Sequence, residues 1–403
     1  MKDDLLKIIK EISKEHPASH IPFNILSQNL DLEIKNKNIN VDYHPLYPHL
    51  ALYKYSNHCV QDRLWSLYSL IARGLVLDHK NKKVAAIPFP KFFALGEIFD
   101  NYLLFLTEKY IITSKIDGSC IISFNNEGNW IFTTCGSFVS SQAKWAEQWA
   151  KEHLPLDKMD KNNTYLFEAI YPENKIVIHY DTSELVLLSI FDSYGLEYPY
   201  DLLLKEKEFI GVNLVKLIPF NSIQEVMDSA KTLDKNEEGF VIRFDNGVRL
   251  KVKGNEYLRI FNLISNLTPL SVWESYLYDK DMGKMAQELP DDLRPDFWNI
   301  LYILKDKLSK LLDEIDTMYQ NTKNMSDAEL GIMIQEHPEA FAGGEFQKAE
   351  KFLFTRRKEF FYQDLNKSNS RLRRQLFNMF KPKSNMLEGY TSSWSIRAVK
   401  NDL

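Results

Sequence analysis

The chain has 403 residues, of which 44% are hydrophobic, 26% charged and 13% aromatic. That length predicts two or three domains, and that much apolar surface excludes wholesale disorder. Fifty Lys+Arg against 55 Asp+Glu leave a net charge of −5, which excludes a uniformly basic coat, so any nucleic-acid footprint must be local.

Cys59, Cys120 and Cys135 form no CxxC pair and no Cys/His quartet. They argue against a disulfide framework and a structural zinc site, and they suit a reducing compartment. No stretch approaches the roughly 18 uncharged apolar residues of a membrane span, and the N-terminus MKDDLLKIIKEISKEH is too charged for a signal peptide. The expectation is a soluble, cytoplasmic protein with no membrane partner.

Leu5, Leu6, Ile8, Ile9 and Ile12 recur at helical spacing, so residues 2–15 predict an amphipathic helix that ends before Pro17. Residues 30–45 are polar and read as a connector. From about residue 48 short β-rich runs follow one another: LALYKYS, RGLVLD, KVAAIPF, KYIITSKI, SCIISF, NWIFTTC, TYLFEAI, KIVIHY, ELVLLSIFDS, EGFVIRF and VRLKVK. Helices are predicted at 141–153, 200–208 and 222–231. After about 255 the strands stop, and EYLRIFNLIS, SVWESYLYDKDMGKMAQEL, the run from 292 to 320 and QKAEKFLFTRRKEFFYQDL read as helices, with Pro269, Pro290 and Pro295 near their starts. The fold class is therefore α+β, a mixed antiparallel-sheet domain followed by an all-α C-terminal domain. The expected division is 1–45, 46–265 and 266–403. Neither a Rossmann fingerprint nor a P-loop occurs.

The chemistry concentrates in the sheet region. In Lys115-Ile116-Asp117-Gly118-Ser119 a strand delivers Lys115 to a glycine turn, which alone reads as an ordinary hairpin. Glu168 interrupts the apolar strand Tyr165–Ile170, Glu238 opens the strand Gly239-Phe240-Val241-Ile242, and Lys251 and Lys253 share one face of a strand. Arg73 adds a cation upstream. Singly, these are solvated strand edges; jointly they describe adenylyl transfer through a lysine. A lysine near its ordinary pKa of about 10.4 is protonated at neutral pH and is no nucleophile. Crowding by Arg73, Lys251, Lys253 and a divalent cation would lower that value and neutralise a phosphate, while the carboxylates hold metal and ribose.

This ordered set resembles the phage-type RNA ligase 1 family of the covalent nucleotidyltransferase superfamily. The resemblance implies a nucleotidyltransferase (ATP-grasp-like ligase) domain over 46–265 and a helical RNA-binding domain over 266–403. It implies Lys115 as the nucleophile that becomes lysyl-AMP, with ATP as substrate and Mg²⁺ or Mn²⁺ as cofactor. Tyr55, Arg73, Lys91, Glu168, Lys251 and Lys253 would bind ATP, and Glu238 and Asp291 the metal; Pro290-Asp291-Asp292 also reads as an ordinary helix start. One departure stands out: Cys135, before Gly136-Ser137, occupies a position where the family carries a lysine. The implied reaction joins RNA 5′-phosphate and 3′-hydroxyl ends, with broken tRNA as a substrate and an end-healing kinase/phosphatase as a partner.

Residues 348–383 hold eleven Lys/Arg against three acids, a net +8, interleaved with Phe360, Phe361, Tyr362, Phe377 and Phe380. That pattern fits a surface for the phosphate backbone, or a solvated helix face with its aromatics packed inward. Two other readings compete with the ligase. One is a nucleotide-binding RNA-end sensor that does not ligate, which Cys135 favours. The other is DNA ligation or GTP-dependent capping, which the helical C-terminus disfavours.

Overall fold

A computed structural model of the chain describes residues 8–9, 15–97, 108–289, 291–341, 344–383 and 386–391. Of the helix expected over 2–15, only Ile8 and Ile9, both helical, and Glu15 fall within them. The described residues divide into two units between Phe261 and Asn262.

Twelve strands are described, all in the first unit: β1 (Ile39–Tyr43), β2 (Leu50–Tyr55), β3 (Arg73–Asp78), β4 (Lys83–Ala86), β5 (Phe93–Ala94), β6 (Tyr110–Lys115), β7 (Ser119–Asn126), β8 (Asn129–Thr134), β9 (Thr164–Ile170), β10 (Glu184–Phe191), β11 (Gly239–Phe244) and β12 (Arg249–Lys253). They form sheets of order β1-β2-β3-β4, β10-β9-β7-β8 and β5-β12-β11-β6. Every pairing is antiparallel except β5 with β12.

Side-chain alternation explains how the sheets stack. In β9, Tyr165, Phe167 and Ala169 join Ala146 and Ala150 of the helix Ser141–His153 in one core. Leu166 points the other way, into a cluster with Leu52 and Val76 of the first sheet. Glu168 shares that second face. In the third sheet Ile112, Phe240, Ile242, Leu250 and Val252 bury one face with Val226 and Ala230 of the helix Ile223–Thr232. The opposite face carries Lys115, Lys251 and Lys253.

Two sequence expectations are corrected. The stretch read as a polar connector holds the helix Phe23–Lys35 and strand β1. Leu26 and Leu30, one turn apart, are buried, and Glu33 accepts from Ser66 and Asn38 rather than facing solvent. KIVIHY is not a strand. Its β-branched residues Ile176, Val177 and Ile178 are buried, but the backbone N–H groups of Val177 and Ile178 both donate to Asp117 Oδ2, at 2.8 Å each, instead of to a ladder.

The second unit is helical, built around Arg294–Thr322, a helix of 29 residues. The expected helix over 347–365 is broken into a 3₁₀ turn Ala349–Phe352 and short helices Leu353–Arg356 and Phe361–Asn366. Its arginines are the reason. Arg357 donates to the carbonyls of Thr322 (2.7 Å) and Met325 (2.8 Å), closing the end of the long helix. Arg356 pairs with Asp316. Further on, Arg373 is 6% exposed and donates to the carbonyls of Tyr276, Leu277 and Leu365.

Part of the basic tract is therefore structural. Arg373→Met removes the donor to the Leu277 and Leu365 carbonyls at about 1–3 kcal/mol each, while the Tyr276 carbonyl still accepts from the Asp279 N–H. It should lower the urea-unfolding free energy by about 2 kcal/mol or more, whereas Lys358→Met at an exposed position should leave it within about 0.5 kcal/mol of the parent.

Candidate functional site

The chemical face of the third sheet is a grid. Across β6, β11 and β12 the register aligns Lys115 with Gly239 and Lys253, Thr113 with Val241 and Lys251, and Ile111 with Arg243 and Arg249. Directly opposed residues project to the same side, and all of these except Gly239 line one cavity of about 110 Å³. A water needs only about 10–15 Å³ by that measure, so the space fits a ligand. Glu168 and Cys120, opposite one another on β9 and β7, line the same cavity from the second sheet.

Gly239 is the pivot of the first row. Its φ of +144° is a conformation that L side chains rarely adopt, and a Cβ there would run into the Val252 carbonyl. With no side chain between the two lysines, the preceding residue reaches both. Glu238, 2% exposed, accepts from Lys115 Nζ at 2.8 Å through Oε2 and from Lys253 Nζ at 3.1 Å through Oε1.

Lys91 is 5% exposed, and its ammonium sits 5.5 Å from the Tyr55 ring centroid, 5.8 Å from Trp65 and 5.4 Å from Phe93. Tyr55 thus acts on the cavity by caging Lys91 rather than by lining it. The Arg73 guanidinium lies 5.4 Å from the Phe92 ring. Among the described residues, seven cations line the cavity (Arg73, Lys91, Lys115, Arg243, Arg249, Lys251, Lys253) against the carboxylates Glu168 and Glu197. Glu238 bridges two of those cations. Such an excess of buried positive charge is built for a polyanion.

Asp291, expected near a metal, belongs to the second unit. Its side chain is 89% exposed and pairs with Arg294 at 2.5 Å. Among the described residues no group of three or more His, Cys, Asp or Glu side chains could hold a metal ion. Magnesium is ordinarily held by one or two carboxylates together with substrate phosphates, and Glu238 beside the cavity meets that modest requirement.

Two features escaped the sequence reading. Buried Asp117 accepts from Tyr257 Oη at 2.8 Å, besides the two amides of the 176–178 loop, and its own N–H donates to Tyr180 Oη at 3.2 Å. It thereby ties the turn after Lys115 to the segment after β12. A Cβ on Gly118 would meet the Ala169 carbonyl at 2.5 Å and Glu168 Cγ at 3.0 Å, so the turn and the Glu168 strand are in backbone contact. The only sequence signal was the Asp-Gly pair itself. The second feature is Glu197, 4% exposed, gripped by Arg249 and by Arg243 at 3.2 Å. Burial works to raise its pKa, but Arg249 and Arg243 outweigh burial and hold it below the usual value.

Burial, and then the nearby Glu238 charge, push Asp117 up to about 6. A raised value means that the native state keeps its proton longer than the unfolded chain. Stability is then fully present below about pH 4, is lost as pH climbs through 6, and is flat above. The loss should be about 3 kcal/mol. About 2 kcal/mol of it falls between pH 4.5 and 6.5, and in paired denaturant titrations at those two values Asp117→Asn should lack this component.

Residues 71–258 match the sequence profile of the RNA ligase family. The chain is 27% identical over 264 residues to the "Putative RNA ligase" of Thermovibrio ammonificans, covering 62% of this chain and 68% of that one. It is 28% identical over 215 residues to the "Putative bifunctional polynucleotide kinase/RNA ligase" of Autographa californica nuclear polyhedrosis virus, covering 47% of this chain and 30% of the viral protein. A solved archaeal ATP-dependent RNA ligase superposes with a TM-score of 0.45 at 14% identity, over 73% of this chain and 83% of that one. Residues 71–258, a little under half of the chain, are therefore similar to the RNA ligase family.

Proposed function

We propose that the chain is an ATP-dependent RNA ligase in which Lys115 is the adenylylated nucleophile. The observation that carries this reading is the ring of seven cations around a cavity that also holds a strand-end lysine within hydrogen-bond distance of a buried carboxylate.

In this mechanism the triphosphate lies among the cavity cations, with Lys251, Lys253, Arg73 and caged Lys91 balancing its charge. Glu168 faces the ribose. Glu238 Oε2, 2.8 Å from Lys115 Nζ, is placed to take the proton that the ammonium must lose. The freed amine forms a bond to the α-phosphorus while the bond from that phosphorus to the bridging oxygen breaks, and pyrophosphate leaves with the electron pair. Glu238 would hold a magnesium or manganese ion, which would supply further neutralisation of phosphate charge. An oxygen of an RNA 5′-phosphate then displaces Lys115 from the adenylate, and the lysine regains a proton. Finally the RNA 3′-hydroxyl attacks the activated phosphorus, AMP departs and the strand is sealed.

The substrate we infer is a cleaved structured RNA such as tRNA, whose 5′-phosphate and 3′-hydroxyl ends would be prepared by a kinase/phosphatase. The viral relative's name joins a kinase to a ligase, which supports that pairing. Its body would rest on the second unit, whose exposed Lys351, Lys358, Arg371, Arg374, Lys381 and Lys383 remain after Arg356, Arg357 and Arg373 are engaged internally.

Incubation with ATP labelled at the α-phosphate tests the chemistry. The protein should acquire covalent, acid-labile label that Lys115→Ala abolishes, and it should seal RNA in preference to DNA. An unlabelled protein that still binds ATP would favour the non-ligating sensor. For RNA binding, replacing Arg371, Arg374 and Lys383 by Gln should weaken affinity across sequences and lower the salt slope by about one per lost phosphate contact. Lysyl-AMP formation should be unaffected.

A further inference from the structure

Along one face of the second sheet the register places Val186, Glu168 and Cys120 in a single row across β10, β9 and β7. On β8 the ladder pairs Ile121 with Thr134 as its last step toward the cavity. The next position of that register sets Cys120 opposite Cys135. The Cys135 thiol neighbours the Cys120 thiol, and that contact and burial hold Cys120 above its usual pKa, with Arg73 and Glu168 as the charges nearby. Cys120 lines the cavity, and Cys135 lies against the strand that carries Arg73, since a Cβ on Gly74 would come within 3.0 Å of Cys135 Cα.

Opposed residues of an antiparallel pair have Cα atoms about 4.5–5.5 Å apart, inside the roughly 4.4–6.8 Å that a disulfide spans. Cys59 offers no such partner: it is buried, and its thiol donates to the Leu64 carbonyl at 3.3 Å.

We propose that Cys120 and Cys135 form an oxidative modification site in the nucleotide cavity, closing to a disulfide that shuts down adenylylation. The oxidant class is a peroxide. One thiol is oxidised to a sulfenic acid as the peroxide O–O bond breaks and one water is released. The second thiol's sulfur then displaces the sulfenic hydroxyl, which leaves as a second water once protonated, and the S–S bond forms. Together the two thiols lose two protons and two electrons, and the peroxide is reduced to two waters. A dithiol reverses the step by exchange.

The new bond fixes the strand end beside Arg73 and Glu168 and replaces two adaptable thiols with a rigid bridge on the cavity wall. The site converts oxidising conditions into loss of ligase charging. The effect on activity rests on the ligase reading above, whereas the linkage itself does not.

The test treats the full-length protein with hydrogen peroxide, maps disulfides by peptide mass spectrometry, and measures α-labelled ATP incorporation before and after a dithiol reductant. The expected result is a linked Cys120–Cys135 peptide lighter by two hydrogens, with loss of most of the label and its recovery on reduction. For Cys120→Ser and Cys135→Ser the ratio of treated to untreated labelling should stay near one, while Cys59→Ser should respond like the parent. Thiols that remain unlinked, or that oxidise only to sulfinic acid, overturn the proposal. A linkage that leaves labelling unchanged overturns its effect on adenylylation. A protein that never labels even when reduced instead refutes the ligase reading, and the linked peptide remains separately readable.

Discussion

One carboxylate organises the site. Glu238 is almost fully buried and divides its two oxygens between Lys115 and Lys253, which places the strand-end lysine and the paired-lysine strand in a single electrostatic unit. Burying charge in this way is costly unless partners are close and well aligned, and here alignment comes from backbone geometry. Gly239 pairs with Lys115 on one side and Lys253 on the other, and its missing side chain opens the gap across which Glu238 reaches both. In the sequence the cations gather around Lys115, and the family resemblance assigns Glu238 to a metal. The folded chain brings this acid to within 2.8 Å of the Lys115 ammonium.

The rest of the fold supports that arrangement by layering. The third sheet has one greasy face closed by a helix and one charged face turned to the cavity. The second sheet contributes Glu168 from a strand that is buried throughout. Asp117 then links the turn after Lys115 to the loop over 176–178 and to Tyr257, joining parts of the chain that lie 140 residues apart.

Much of this was legible in the sequence where the physics is local. Period-two alternation gave the shared face of Lys251 and Lys253, and Gly118 marked a tight turn. The reading failed where a distant partner decides the outcome. KIVIHY has the β-branched texture of a strand, yet its amides answer to Asp117 rather than to a neighbouring ladder. The helix Phe23–Lys35 was hidden because its apolar residues are spread around it, Ile25 and Leu32 standing exposed while Leu26 and Leu30 are buried. Arg357 and Arg373 read as part of a solvent-facing basic tract, and only the folded chain reveals them closing helix ends from within.

The aromatic surround of Lys91 has a kinetic side. A lysine on an open surface samples many rotamers and must surrender that freedom when an anion arrives. Enclosed by Tyr55, Trp65 and Phe93, this ammonium gave up its mobility when the polypeptide collapsed. An incoming anion therefore meets a stationary charge, and the capture step is spared one entropic penalty.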